Sequence, residues 1–128
     1  MRDASIAGQR WKRGTVAIEF ALLLPALLLF ILGIADVGRL IWTQTTLDRA
    51  VEAAARCAVV DATNCGNATL TATYAVGQAF GLVIASSAFT VTTPACGTKV
   101  AVTMPFTLII PWITTSSITL AANACYPT

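Results

Sequence analysis

The chain has 128 residues, 56% of them hydrophobic, and a formal net charge of +2, which fits one small domain with a membrane segment. The absence of histidine excludes Ser-His and Cys-His catalysis. Lys99 is the only charged residue from 62 to 128, so this half of the chain has no carboxylates for paired-acid catalysis or for a hard-metal cage. The positive charge is concentrated before Gly14, so the remainder has no basic patch for nucleic acid.

A polar N-terminal segment precedes a long apolar stretch. We interpret residues 1–14 as a cytoplasmic leader without helical periodicity. Three cations stand directly before Gly14, namely Arg10, Lys12 and Arg13. The 21 residues from 15 to 35 carry one charge, Glu19, and as a helix they span about 31 Å, close to the hydrocarbon thickness of a bilayer. Because basic flanks favour the cytoplasm, this pattern predicts a single-pass helix with a cytoplasmic N-terminus and an exported C-terminal part.

The carboxylate inside the apolar stretch is unusual. Placing an ionised carboxylate in lipid costs about 2.5 kcal/mol or more, so such a residue often marks a function or a partner. Glu19 lies only four residues into the stretch, so one interpretation is that its side chain reaches the headgroups. Pro25 lies in the same stretch, removes one helical hydrogen bond and predicts a bend that membrane helices tolerate.

The order of residues around Glu19 is typical of a known family. Cations, Gly14, four further residues, Glu19, the aromatic Phe20 and a long apolar helix together resemble the class III signal of type IV pilins. The run from 13 to 25, and the Gly, acid and Gly-Arg of residues 33–39, resemble more narrowly the TadE-like pseudopilins of tight-adherence (Tad, Flp) pilus systems.

This resemblance, specific over about residues 13–60, implies a structural role in pilus assembly. A prepilin peptidase would cut between Gly14 and Thr15, and Glu19 with Phe20 would serve assembly, because the carboxylate could neutralise the new N-terminal amine of a neighbouring subunit. The implied partners are the prepilin peptidase, other Tad pseudopilins, the major Flp pilin, the inner-membrane assembly platform and the lipid bilayer. The implied location is the bacterial inner membrane, from which the subunit can enter a surface pilus.

Two alternatives stay open for the N-terminal half. Residues 33–35, Gly-Ile-Ala, could be the cleavage site of a conventional signal peptide, although the apolar stretch exceeds the usual core of about 7–15 residues. The chain could also be a membrane-anchored periplasmic binding module that never polymerises. The mature mass discriminates these cases: a start at Thr15 indicates the pilin, a start at Asp36 the secreted module, and an uncut chain the anchored module.

Beyond residue 36 the helical pattern continues. Apolar residues at spacings of three and four predict one helix from about residue 16 to 60. The members of this stripe are Val37, Leu40, Ile41, Leu47, Val51, Ala54 and Ala58. Turn-forming residues at 61–67 predict the end of this helix, and a second, shorter helix is expected from about Leu70 to Leu82.

The C-terminal part alternates between apolar and polar residues and predicts strands at 89–92, 99–104 and 118–125. Pro105 and Pro111 indicate an edge strand or an extended run at 106–110 rather than a central strand. Helices followed by a small antiparallel sheet predict an α+β fold. We expect three segments: a leader at 1–14, a membrane-spanning assembly helix at 15–36 and a periplasmic head at 37–128.

All four cysteines lie in the part that we expect to be exported, where an oxidising compartment favours disulfides. Three pairings are possible, and we favour Cys57 with Cys65 and Cys96 with Cys125. No pair has C-x-x-C spacing, which disfavours zinc binding and thiol-redox chemistry. The nearly uncharged, Thr- and Ala-rich head suggests contact with other proteins. We therefore expect a structural protein and neither an enzyme nor a protein with a metal, a cofactor or a small-molecule substrate.

Overall fold

The computed structural model describes residues 4–109 and 117–128, and for residues 4–13 and 15 it describes the backbone alone. Three helices precede a three-stranded sheet. They are α1 (Ala4–Val60), α2 (Ala62–Cys65) and α3 (Ala68–Gln78), followed by a 3-10 turn at Ser86–Ala88 and by β1 (Phe89–Thr92), β2 (Thr98–Phe106) and β3 (Ile118–Tyr126). The predicted α+β fold is confirmed.

Helix α1 begins earlier than predicted. It has 57 residues and starts at Ala4, whereas we expected a start near residue 16. Helical periodicity appears in a sequence when one face of the helix is apolar and buried. The polar leader has no such face, so its sequence shows no helical periodicity. No proline occurs before Pro25, so nothing in the first turns blocks helix propagation. Pro25 itself lies inside α1, and the bend expected there stays a prediction.

The buried face of α1 differs from the predicted stripe at one end. Five members are buried or partly buried as expected: Leu40, Leu47, Val51, Ala54 and Ala58. Val37 and Ile41, however, are 59% and 56% exposed. Asp36 and Thr43 lie on the buried face instead, and the Thr43 hydroxyl donates a hydrogen bond of 2.8 Å to the backbone carbonyl of Arg39. The prediction was wrong here because buried polar side chains are acceptable once they are hydrogen-bonded.

Side-chain caps determine where the two short helices begin. Asp61 caps α2 within the segment that we expected to be only a turn. The side chain of Asn67 accepts a hydrogen bond of 2.9 Å from the backbone N–H of Leu70, so α3 starts at Ala68. It ends at Gln78 rather than at Leu82, and Gly81 follows with a φ of +77°.

The sheet is antiparallel in the order β1-β2-β3. Phe106, the first residue of the run predicted at 106–110, belongs to the central strand β2, so the prediction was wrong for that residue. Pro105, which precedes the run, also lies in β2. Strand β1 pairs only with residues 99–102, and at Pro105 strand β2 therefore has a partner on one side alone, where a missing N–H is tolerated. Residues 107–109 lie beyond β2, while Ile110 and Pro111 lie outside the described residues.

One face of the sheet packs on α1 and α3. Its buried side chains include Phe89, Val100, Val102, Leu120 and Ala122, and the helices contribute mostly Leu47, Val51 and alanines. Val100 and Val102 are at most 1% exposed, and full burial of such a side chain contributes about 1.5–3 kcal/mol. Alanines on both helices allow α1 and α3 to approach each other closely.

Strand β3 runs in the same direction as α1. The Gln44 side chain donates a hydrogen bond of 3.0 Å to the backbone carbonyl of Ala121, and Tyr126 lies beside Glu52 further along the helix. We call the part of the chain from residue 37 onward the head. Its base is the end near Asp36, and its tip is the end near Cys57 and Tyr126.

Candidate membrane and assembly site

The first half of α1 is an uncovered apolar surface. In the described part of the chain, one helix is long and apolar enough to cross a membrane, and the side chains of its most apolar window are not buried. We call this surface the apolar belt. Its exposed large side chains are Val16, Ile18, Phe20, Leu22, Leu23, Leu24, Leu27, Leu28, Leu29, Phe30, Ile31, Ile34 and Val37. Its length and composition are those of a helix that can cross a membrane.

Glu19 and Phe20 lie together near the start of the apolar belt. Both are exposed, and Phe20 lines a shallow groove on α1 with Leu23 and Leu27. Among the described residues, no side chain forms an ion pair with the Glu19 carboxylate. The helical backbone puts residues 15 and 19 one turn apart. The roles predicted for Glu19 and Phe20 in assembly stay predictions.

The predicted cleavage site lies within the continuous backbone of α1. Gly14 is exposed, and a Cβ added at this position would meet no atom within 4 Å. Arg10, Lys12 and Arg13 occupy the preceding turns of the same helix, and the described residues include only their backbone. Cleavage between residues 14 and 15 stays a prediction.

A buried carboxylate joins the belt to the head. Asp36 is 2% exposed, and its two carboxylate oxygens accept hydrogen bonds of 3.0 and 2.9 Å from the backbone N–H of Ile109. Arg39, one turn further along α1, donates a hydrogen bond of 3.1 Å to the same carboxylate. The Arg39 guanidinium also lies 5.2 Å from the ring centre of Phe106 at the end of β2. We call these four residues the junction.

The junction fixes the head against the helix. A buried charge is costly unless it is paired and hydrogen-bonded, and Asp36 meets both conditions. In the described part of the chain, no buried side-chain oxygen or nitrogen lacks a hydrogen-bond partner. The sequence analysis missed this role, although an acid followed three residues later by Arg39 directly after an apolar stretch was a usable signal.

Two disulfides close the tip, with the pairing that we favoured. Cys57–Cys65 joins the end of α1 to α2, with 5.8 Å between the Cα atoms. Cys96–Cys125 joins the start of β2 to the end of β3, with 6.3 Å between the Cα atoms. Gly97 follows Cys96 with a φ of +121°, and an added Cβ there would collide with the backbone carbonyl of Tyr126.

The fold alters the titration of Asp61. The Asn64 side chain donates a hydrogen bond of 2.7 Å to the Asp61 carboxylate, and the Asn64 backbone N–H donates another of 3.1 Å. These bonds, the side-chain bond first, hold the pKa of the Asp61 carboxyl below its ordinary value. Within the described residues, no three Cys, Asp or Glu side chains are grouped as metal ligands.

A protein-family model matches the part of the chain that contains the apolar belt. Residues 14–56 match the family model described as TadE-like protein. The match starts at Gly14, covers the belt and the junction residues of α1, and extends into the head. It confirms the resemblance inferred from the sequence. The chain has no significant match among curated proteins or among solved structures.

Proposed function

We propose that this chain, TadE-like over residues 14–56, acts as a minor pilin or pseudopilin in Tad pilus assembly. The family match supports involvement in Tad pilus assembly and association with other Tad components. The finer proposal is that a prepilin peptidase removes residues 1–14 and that the mature chain is held in the bacterial inner membrane. From there it would associate with other pseudopilins, the major Flp pilin and the assembly platform. Its role would be structural rather than catalytic.

The observation that carries this proposal is the exposed Glu19 near the start of an unpartnered apolar belt. Cleavage after Gly14 would create an α-amine on residue 15, one helical turn from Glu19. In lipid, each of these charges needs an opposite charge. Neighbouring helices that are offset along their axes could place the carboxylate of one subunit beside the amine of the next.

The cost of a mismatch would make this contact selective. Coulomb attraction strengthens where water is excluded, and leaving one member of a buried charge pair without its partner costs about 3–5 kcal/mol. Subunits in the wrong register would carry that cost, and subunits in the correct register would not. Phe20 and the adjoining groove would then pack against the neighbouring helix.

Glu19→Gln tests this role, because it keeps the shape of the side chain and removes its charge. We expect normal insertion, abundance and disulfide formation, with a loss of crosslinking to partner pilins and of surface piliation. Glu52→Gln is the matched control, since Glu52 is also exposed on α1 but lies in the head. If Glu19→Gln crosslinks and supports piliation as wild type does, the anchored, non-polymerising module is the better explanation.

Gly14→Val tests processing. The wider side chain should prevent the peptidase from approaching the backbone, so we expect an uncut precursor that still inserts. Gly33→Val is the control, because Gly33 also lies in α1 with no atom within 4 Å of an added Cβ, and this variant should be cut normally. Intact mass and N-terminal sequencing are the measurements, and the same N-terminus in Gly14→Val and wild type would contradict the proposal.

A further inference from the structure

We propose that the base of the head is a second membrane-contact surface, a collar that lies in the headgroup region of the bilayer crossed by α1. The collar consists of five exposed apolar side chains: Val37, Ile41, Trp42, Ile109 and Ile118. Their exposed fractions are 59%, 56%, 64%, 51% and 36%, in that order. This inference rests on the proposed membrane anchorage and adds to it a contact made by the head.

Two contacts of the junction place the head residues of the collar beside the end of the apolar belt. The backbone N–H of Ile109 is bonded to the Asp36 carboxylate, so Ile109 lies at the level of Asp36 on α1. Ile118 pairs with Phe106, whose ring lies under the Arg39 guanidinium. Both isoleucines therefore lie within about one turn of the point where the belt ends.

The residues of the collar on α1 lie at the same depth. Val37, Ile41 and Trp42 follow residue 35 by two to seven positions, which corresponds to about 3–10 Å along the helix axis. The headgroup region adds about 5–8 Å to each side of the hydrocarbon core, and interfacial apolar groups enter it by about 5–10 Å. The collar thus occupies the depth at which tryptophan and apolar side chains contact lipid.

The charges at this level are also suited to a lipid surface. Arg39 is half-exposed, so its guanidinium can face headgroup phosphates, while the Asp36 carboxylate is buried and bonded. Of the acidic side chains in the described part of the head, the first exposed one along α1 is Asp48, thirteen residues after residue 35 and so about 20 Å away. The apolar collar therefore lies next to the cationic side chain of Arg39, and the first exposed carboxylate of the head lies further along α1.

The distribution of the collar favours lipid over a protein partner. Ile109 and Ile118 lie on the head side of α1, near the buried Asp36. Val37, Ile41 and Trp42 are rotated by about 100–140° from Asp36 around the helix axis, the first two on one flank and Trp42 on the other. A protein neighbour would cover one of these sides, but a bilayer contacts all of them at one depth. The collar is also continuous with the apolar belt through Val37.

Quenching of single tryptophans by brominated phosphatidylcholine tests the proposal in the full chain reconstituted into liposomes. The chain contains Trp11, Trp42 and Trp112. One variant keeps only Trp42, through Trp11→Phe and Trp112→Phe. A second replaces all three by phenylalanine and adds Ile109→Trp, which leaves the backbone bond to Asp36 available. We expect both tryptophans to lose emission to lipids brominated near the glycerol backbone and to resist quenching by aqueous acrylamide.

Two controls in the tryptophan-free background separate this proposal from membrane anchorage itself. Phe30→Trp reports the belt, and Val60→Trp, at a position 69% exposed near the tip, reports the aqueous side. Quenching of Phe30→Trp by bromolipid without quenching at Trp42 and Ile109→Trp would overturn the collar but preserve the anchor. Absence of quenching at Phe30→Trp would overturn both. Protection of the collar from both quenchers, increasing with protein density, would assign the collar to a neighbouring chain and overturn the lipid proposal.

Discussion

Removing the Asp36 carboxylate should release the base of the head from α1. In Asp36→Ala, the backbone N–H of Ile109 loses both of its acceptor oxygens. An unsatisfied donor costs about 1–3 kcal/mol when it is fully buried, and the ion pair with Arg39 lies within α1, so its loss does not release Ile109. Because the bond from Ile109 is only part-buried, the expected local destabilisation is about 1–2 kcal/mol. Asp36→Asn keeps one acceptor oxygen and should lose about half of that.

Hydrogen–deuterium exchange measures this effect at the affected amide. Each 1.4 kcal/mol changes an opening equilibrium about tenfold, so the Ile109 amide in Asp36→Ala should exchange about 5- to 30-fold faster than in wild type. The amides of Val100 and Val102 in the centre of the sheet are the internal reference and should change little. Asp48→Ala removes an exposed carboxylate from the same helix and serves as the control. Unchanged exchange at Ile109 in Asp36→Ala would refute the assigned role of the junction.

Two further predictions concern the tip. Gly97→Ala should lower the free energy of unfolding by about 1–3 kcal/mol because of the positive φ and the collision with the Tyr126 carbonyl. Gly77→Ala, in α3 with open space around the added Cβ, should raise it by about 0.5–1 kcal/mol; equal denaturation midpoints for the two variants would contradict this reasoning. The lowered pKa of Asp61 predicts that the stability from its cap is fully present above the ordinary value of 3.8 and is lost as the pH falls through the lower folded pKa. Asp61→Asn, which can still cap α2, should lack this pH dependence in thermal unfolding, and an identical pH profile would exclude the cap as its source.

Local patterns in the sequence were sufficient for most elements of the fold. The alternation at residues 89–92 and 99–104 predicted β1 and β2, because one face of each strand packs on the helices. The spacing of Leu47, Val51 and Ala54 predicted the part of α1 that is buried for the same reason. The favoured cysteine pairs were also found, since each bridge joins two ends of elements that the predicted fold brings together.

The errors arose where long-range contacts determine the outcome. Asp36 is buried because it bonds to Ile109, 73 residues further along the chain, and no local pattern reports that contact. As a consequence, the hydrophobic stripe was extended to Val37 and Ile41, which are exposed. Phe106 was assigned to an edge strand or an extended run because the short length of β1, and hence the open side of β2 beside Pro105, cannot be read from the prolines.

The disulfides cross-link one end of the head and leave the other end without a covalent cross-link. Both bridges lie at the tip, whereas the polar contacts that fasten the base to α1 are the hydrogen bonds from the backbone N–H of Ile109 to the Asp36 carboxylate. A force applied through the first half of α1 therefore loads the non-covalent contacts of the base before it loads either disulfide. Under load the base should separate from α1 first, while Cys57–Cys65 and Cys96–Cys125 keep the far end of the head closed. A subunit strained in this way could recover its shape when the load is removed, without refolding from an open chain.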